Sequence, residues 1–115
     1  MSERKYKVLW AESGARDLEE IVLHIAQDSP GNARKGLKRL RDKAAALETL
    51  PLRGRVVPEL ARLGLRSWRE LMLKPYRIVY RVDSQTVLVL ALIDSRRDLE
   101  DLLLERMVRP ADLQL

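Results

Sequence analysis

At 115 residues the chain is long enough for one compact domain, residues 1–115, and too short for two comfortable ones. It contains no cysteine, which excludes a disulfide framework, a thiolate metal site and a thiol nucleophile, and which suits a reducing compartment. Its 22 basic residues against 17 acids leave a net charge of +5, the basic excess lying mostly between Arg34 and Arg81, and this suits an acidic partner, either nucleic acid or an acidic protein segment.

The start, "MSERKYKVLW", has no apolar run after its basic residues. "YKVLW", Tyr6 to Trp10, reads as a short strand. A helix follows with Ser13 as its expected N-cap, carrying Leu18, Ile21, Val22 and Ile25 at helical spacing while Arg16, Glu19, Glu20 and Asp28 point elsewhere. "DSPGN" breaks that pattern. A second helix is predicted from about Asn32 to Leu50. Ala33, Leu37, Leu40, Ala44 and Leu47 form its apolar stripe, and Arg34, Lys35, Lys38, Arg39, Arg41 and Lys43 its other face. The two helices make a hairpin.

"LPLRGRVVPEL" reads as a loop or edge segment, after which the period changes to two. "RSWRELML", "YRIVYRV" and "TVLVLALID" are three strands separated by "KP" and "DSQ", connections so short that the neighbours must be antiparallel. The longest apolar run, Val87 to Ile93, is far below the roughly 20 residues of a membrane span, so the expected location is the cytoplasm, with no membrane partner. A last amphipathic helix is predicted from about Arg97 to Val108 through Leu99, Leu102, Leu103 and Met107. The order β-α-α-β-β-β-α is an α+β fold in which an N-terminal helical hairpin packs on an antiparallel sheet and a short helix closes the chain.

If Lys74 and Pro75 form the turn, Trp68, Glu70 and Met72 share a face with Arg77, Val79 and Arg81. Pairing Val82 with Val87 adds Leu88, Leu90 and Leu92 to it. The opposite face then holds Leu71, Leu73, Tyr76, Ile78, Tyr80, Val82, Val87, Val89, Ala91 and Ile93 as the core under the hairpin. The arginine-bearing face is too apolar to stay open, so the last helix is expected to cover part of it and a partner chain the rest. Arg77 and Arg81 should lie at its margins or pair with Glu70, Asp94 or a partner's carboxylate.

With this element order, "WRELMLKPYRIVYRV" and "VLVLALIDSRRDLEDLLLER" make the chain resemble the RelE/ParE superfamily of toxins from bacterial type II toxin–antitoxin modules, over Tyr6 to about Arg109. The resemblance implies one of two activities: ribosome-dependent cleavage of messenger RNA in RelE-like members, or poisoning of DNA gyrase in ParE-like ones. Arg77 aligns with the strand arginine that holds phosphate in the nucleases, but the companions of that residue are absent. Only Arg69 could add charge on the preceding strand, an arginine is a poor general base, and "LEDLLLERMVRPADLQL" contains no tyrosine or histidine. His24, the sole histidine, falls off the apolar stripe of the first helix and reads as a solvated position.

Asp94, Asp98, Glu100 and Asp101 cluster near the last helix, but Asp98 and Asp101 fall in or near its first turn, where they complement the helix dipole, so the cluster is not read as a metal site, and the reading calls for no cofactor. Tyr76 and Tyr80 read as core, and the basic stripe of the second helix as a solvated face with partner contact as the alternative. Arg53, Arg55, Arg62 and Arg66 would extend that basic surface.

The resemblance therefore implies a ParE-like growth-inhibiting toxin that binds gyrase without chemistry of its own. It also implies a cognate antitoxin, ParD-like or another DNA-binding protein of the same operon, through which alone DNA is reached. The residues expected to contact antitoxin or target are Trp68, Arg69, Met72, Arg77, Arg81, Leu90, Arg96 and Arg97. The alternatives are a RelE-like ribonuclease with a non-standard residue set and a non-toxic protein-binding module on the same fold.

Overall fold

A computed structural model describes residues 5–97 and 99–107. Its elements are β1 (Lys7–Trp10), α1 (Glu12–Asp28), α2 (Pro30–Ala45), a 3-10 turn (Ala46–Glu48), β2 (Arg55–Val56), α3 (Pro58–Ala61), β3 (Trp68–Leu73), β4 (Tyr76–Asp83), β5 (Thr86–Asp94) and α4 (Leu99–Met107). Asp98, the side chain of Met107 and the tail from residue 108 onward, all given roles above, lie outside the described residues.

The hairpin turns on one residue. The Ser29 amide donates to the Ile25 carbonyl to end α1, and the Ser29 hydroxyl accepts from the Asn32 amide to cap α2, with Pro30 at its first position. Ala33, Leu40, Ala44 and Leu47 are buried on the stripe that the spacing predicts, although α2 stops at Ala45 and a 3-10 turn carries Leu47. Ser13 is not the cap expected of it. The cap position is Ala11, and Ser13 lies buried inside α1, its hydroxyl donating to the Leu90 carbonyl at 2.8 Å. Beside it Gly14 rests on β5 so closely that a Cβ there would stand 2.6 Å from the Val89 carbonyl oxygen.

The sheet has the order β1-β5-β4-β3-β2. Its last four strands are antiparallel, and β1 adds in parallel to β5. "LPLRGRVVPEL" contributes the edge strand β2 and the short helix α3. Around the Lys74–Pro75 turn the register is as the alternation predicts, Trp68 opposite Arg81, Glu70 opposite Val79 and Met72 opposite Arg77.

Between β4 and β5 it is not. Val82 pairs with Val87 as expected, but an irregularity after the Tyr80–Val89 pair sets Val79 opposite Ala91 and Arg77 opposite Ile93, leaving Leu90 as the extra residue. Ala91 and Ile93 therefore join the arginine-bearing face and Leu92 crosses to the hairpin face, the reverse of the assignment drawn from alternation.

Both faces are covered. Leu18, Leu40, Ala44 and Leu47 pack with Leu71, Ile78, Tyr80, Val87, Val89 and Leu92 under the hairpin. On the arginine-bearing face Trp68, Val79, Leu88, Leu90, Ala91 and Ile93 lie beneath Val57 and Leu60 of the β2–α3 excursion and Leu99 and Leu103 of α4. The last helix covers part of this patch as expected, and the β2–α3 excursion, not foreseen as a cover, closes much of what was left for a partner. Among the described residues no helix is long and apolar enough to cross a membrane.

Candidate interaction surface

Arg77 is 7% exposed, and its charge is spent inside the protein. Nε donates to Oε1 of Glu70 at 2.6 Å, while Nη1 and Nη2 each donate at 2.8 Å to the two carboxylate oxygens of Glu59 in α3. Nη2 also meets Glu70. Glu70 in turn receives Arg55 Nε from β2 at 2.6 Å. The result is an alternating string, Arg55, Glu70, Arg77, Glu59, that ties β2, β3, β4 and α3 together. Of the two partners foreseen within the chain, Glu70 is found and Asp94 is not. Hydrogen bonds from Arg77 are the main reason that the Glu59 carboxyl titrates at about 2. The same bonds, those to Glu59 foremost, raise the pKa of Arg77 further.

Arg81 lies across from Trp68, its guanidinium carbon 5.1 Å from the ring centroid, and its Nε is buried without a hydrogen-bond partner among the described residues. Trp68 and Leu90, expected at an interface, are core residues beneath α3 and α4. Arg69 is half-buried and donates to the Gly54 carbonyl at 2.8 Å, holding the loop before β2. Tyr80, also core, accepts from the Gly54 amide through its hydroxyl at 2.9 Å, and burial pushes its pKa up.

What remains on the surface is Met72, 39% exposed, with Arg96 and Arg97 just beyond β5. Arg96 chelates Asp94, with Nε and Nη2 at 3.0 and 2.7 Å, and holds that carboxyl at about 2. The structure thus divides the eight candidate residues. Arg77, Trp68 and Leu90 are interior, Arg69 and Arg81 are intermediate, and Met72, Arg96 and Arg97 are open.

His24 is exposed on α1 at a shallow pocket of about 180 Å³ that it shares with Glu20, Tyr76, Asp94 and Arg97. Among the described residues no three acids or histidines gather so as to hold a metal ion. Glu59 is the residue that the sequence reading missed. Its signal was "VVPEL", where Pro58 in the first turn followed by an acid is a helix start, but four residues of helix give no periodicity to read.

A larger, apolar groove of about 510 Å³ runs between the hairpin and β1, lined among others by Trp10, Leu18, Val22, Leu23 and Leu37.

Residues 8–99 match the family model of the ParE toxin of the type II toxin–antitoxin system parDE. No curated protein matches the chain. Among solved structures the fold is similar to that of a chromosomal ParDE toxin–antitoxin system from P. aeruginosa, with a TM-score of 0.63 and 20% identity over 80% of this chain and 98% of the other. It is also similar to a chain of the toxin–antitoxin complex RelBE2 from Mycobacterium tuberculosis, with a TM-score of 0.58 and 24% identity over 81% of this chain and 94% of the other.

Proposed function

The chain belongs to the ParE toxin family of type II toxin–antitoxin systems, and from that premise we propose that it arrests growth by binding DNA gyrase and holding it on cleaved DNA, without bond-breaking chemistry of its own. The observation that carries this reading is the state of Arg77. A nuclease of this fold would need that guanidinium free for a phosphate, whereas here Glu59 and Glu70 engage all three of its nitrogens. Arg69 is likewise turned to backbone carbonyls rather than to an open site.

The partner in this reading is a ParD-like antitoxin of the same operon, acting in the cytoplasm beside the toxin, with an acidic amphipathic segment that folds as it binds. Its contacts fall on the open members of the candidate set, Met72, Arg96 and Arg97, and on Arg81, which is only partly buried.

The test is a supercoiling and cleavage assay with purified gyrase. Added protein is expected to stop supercoiling and accumulate cleaved DNA, and the product of the adjacent gene to reverse both. Unimpaired supercoiling at several-fold excess, together with message cut on translating ribosomes, would give the function to the ribonuclease reading. Expression without any effect on growth would leave only a protein-binding module.

A further inference from the structure

Charge is distributed unevenly along this chain. Of its 22 basic and 17 acidic residues, α2 holds six bases and one acid, so the other 99 residues carry sixteen of each sign and the whole net charge of +5 sits on one helix. Arg34, Lys35, Lys38, Arg39 and Arg41 are all exposed. Arg34, Lys38 and Arg41 stand at helical spacing in one row, and Lys35 and Arg39 in the next. At 1.5 Å of rise per residue the first row is about 10 Å long, rigid and straight. Lys38 pairs with Asp42; the other four make no ion pair among the described residues.

We propose that this face of α2 docks the phosphate backbone of duplex DNA, with Arg34, Lys35, Lys38 and Arg39 as the contacts. The gyrase reading supplies the setting, since a toxin that holds gyrase on cleaved DNA works beside a duplex; the binding itself does not depend on it. DNA would then be met directly, and not only through the antitoxin.

Three features select this occupant. An acidic protein segment binds through apolar anchors as well as charge, but the exposed large hydrophobic residues, Leu23, Leu50, Leu52, Leu63 and Met72, all lie off α2. Of the exposed cations of α2 only Arg41, which is not among the four contacts, lines the apolar groove beside the hairpin. Single-stranded nucleic acid is held by stacking on aromatic rings, and α2 contains none. The neighbouring helix fixes the approach: α1 carries five acids against one base, so a duplex must come from the side of α2 away from it.

The experiment is fluorescence anisotropy of the full chain, without gyrase, on a labelled mixed-sequence DNA duplex across a salt series. With four phosphates neutralised, log affinity should fall against log salt with a slope of about −3 to −4, at roughly −0.9 per phosphate. The triple variant Arg34→Gln, Lys35→Gln, Arg39→Gln is expected to weaken binding at low salt by about tenfold or more and to make the slope shallower by nearly 3. A control triple, Lys7→Gln, Arg66→Gln, Lys74→Gln, removes the same charge from exposed positions elsewhere and should change neither. Circular dichroism melts confirm that both variants are folded.

The proposal is overturned by no duplex binding at low salt, by equal weakening in both triples, or by tighter binding to polyglutamate or to an RNA hairpin than to the duplex. Because gyrase is absent from the assay, failure here leaves the gyrase reading standing. Failure of the supercoiling test leaves DNA binding standing in the same way.

Discussion

At Arg77 one guanidinium serves two carboxylates, and the low exposure of all three side chains decides what a substitution there does. Arg77→Ala leaves Glu70, wholly buried, with Arg55 alone and leaves Glu59 unpaired. Breaking a buried pair from one side costs about 3–5 kcal/mol. Chemical denaturation should show a loss of that order, whereas Arg96→Ala, which removes only an exposed pair screened by solvent, should shift stability far less. An Arg77→Ala protein as stable as the parent would show that the string of charges contributes little.

The same bonds make an acid-labile contribution. Glu59 titrates at about 2 when folded against an ordinary 4.5, so its contribution is fully present above about 4.5 and is lost as pH falls toward 2. Denaturation midpoints measured across that window should fall less steeply in Glu59→Gln than in the parent. Asp94, also held at about 2, titrates alike in both proteins and cancels in the comparison. Of this cluster, Glu70 was legible because alternation puts it on the face of Arg77. Glu59 was not, because the sheet-strand pattern says nothing about a side chain 18 residues away on an unpredicted helix.

At the scale of elements, legibility follows the strength of the pattern. The hairpin and β3 to β5 are long, periodic and joined by short turns, so their existence, order and the β3–β4 register could be read directly. β5 failed at its middle because "VLVLALI" is apolar at every position. Alternation then has no polar residue to mark the phase, and the extra residue Leu90 passes unseen while Ala91, Leu92 and Ile93 change faces. β2 and α3 are too short for any period, yet they bring Val57 and Leu60 over Trp68. With α4 they turn Trp68 and Leu90 from expected contact residues into core. Alternation thus gave Trp68, Met72, Arg77 and Arg81 a shared face, but could not say how deeply that face is covered.

Across the whole molecule the two layers, α1 and α2 on one face and α3 and α4 on the other, meet where the sheet is incomplete. β1 pairs with β5 only as far as Val89, so among the described residues the outer edge of β5 from Leu90 onward lacks a neighbouring strand. An open edge invites pairing with another chain. Side chains close it here: the Ser13 hydroxyl donates to the Leu90 carbonyl, Oδ2 of Asp17 accepts from the Leu92 amide at 2.9 Å, and Arg106 of α4 meets both oxygens of Asp17. Asp17 thus fastens α1 to β5 and, through Arg106, to the helix on the opposite face. A double-mutant cycle measures that link. Asp17→Asn and Arg106→Gln should each destabilise by about 1–3 kcal/mol, since each removes one side of a largely buried ion pair. The double variant should cost less than the two losses added together, because the Asp17–Arg106 pair that either change breaks can be lost only once. Additive losses would mean that the two layers are held independently, with Arg106 contributing through contacts other than Asp17. Sub-additive losses, read by urea denaturation, would establish this edge as the joint through which α4 is kept over the apolar face.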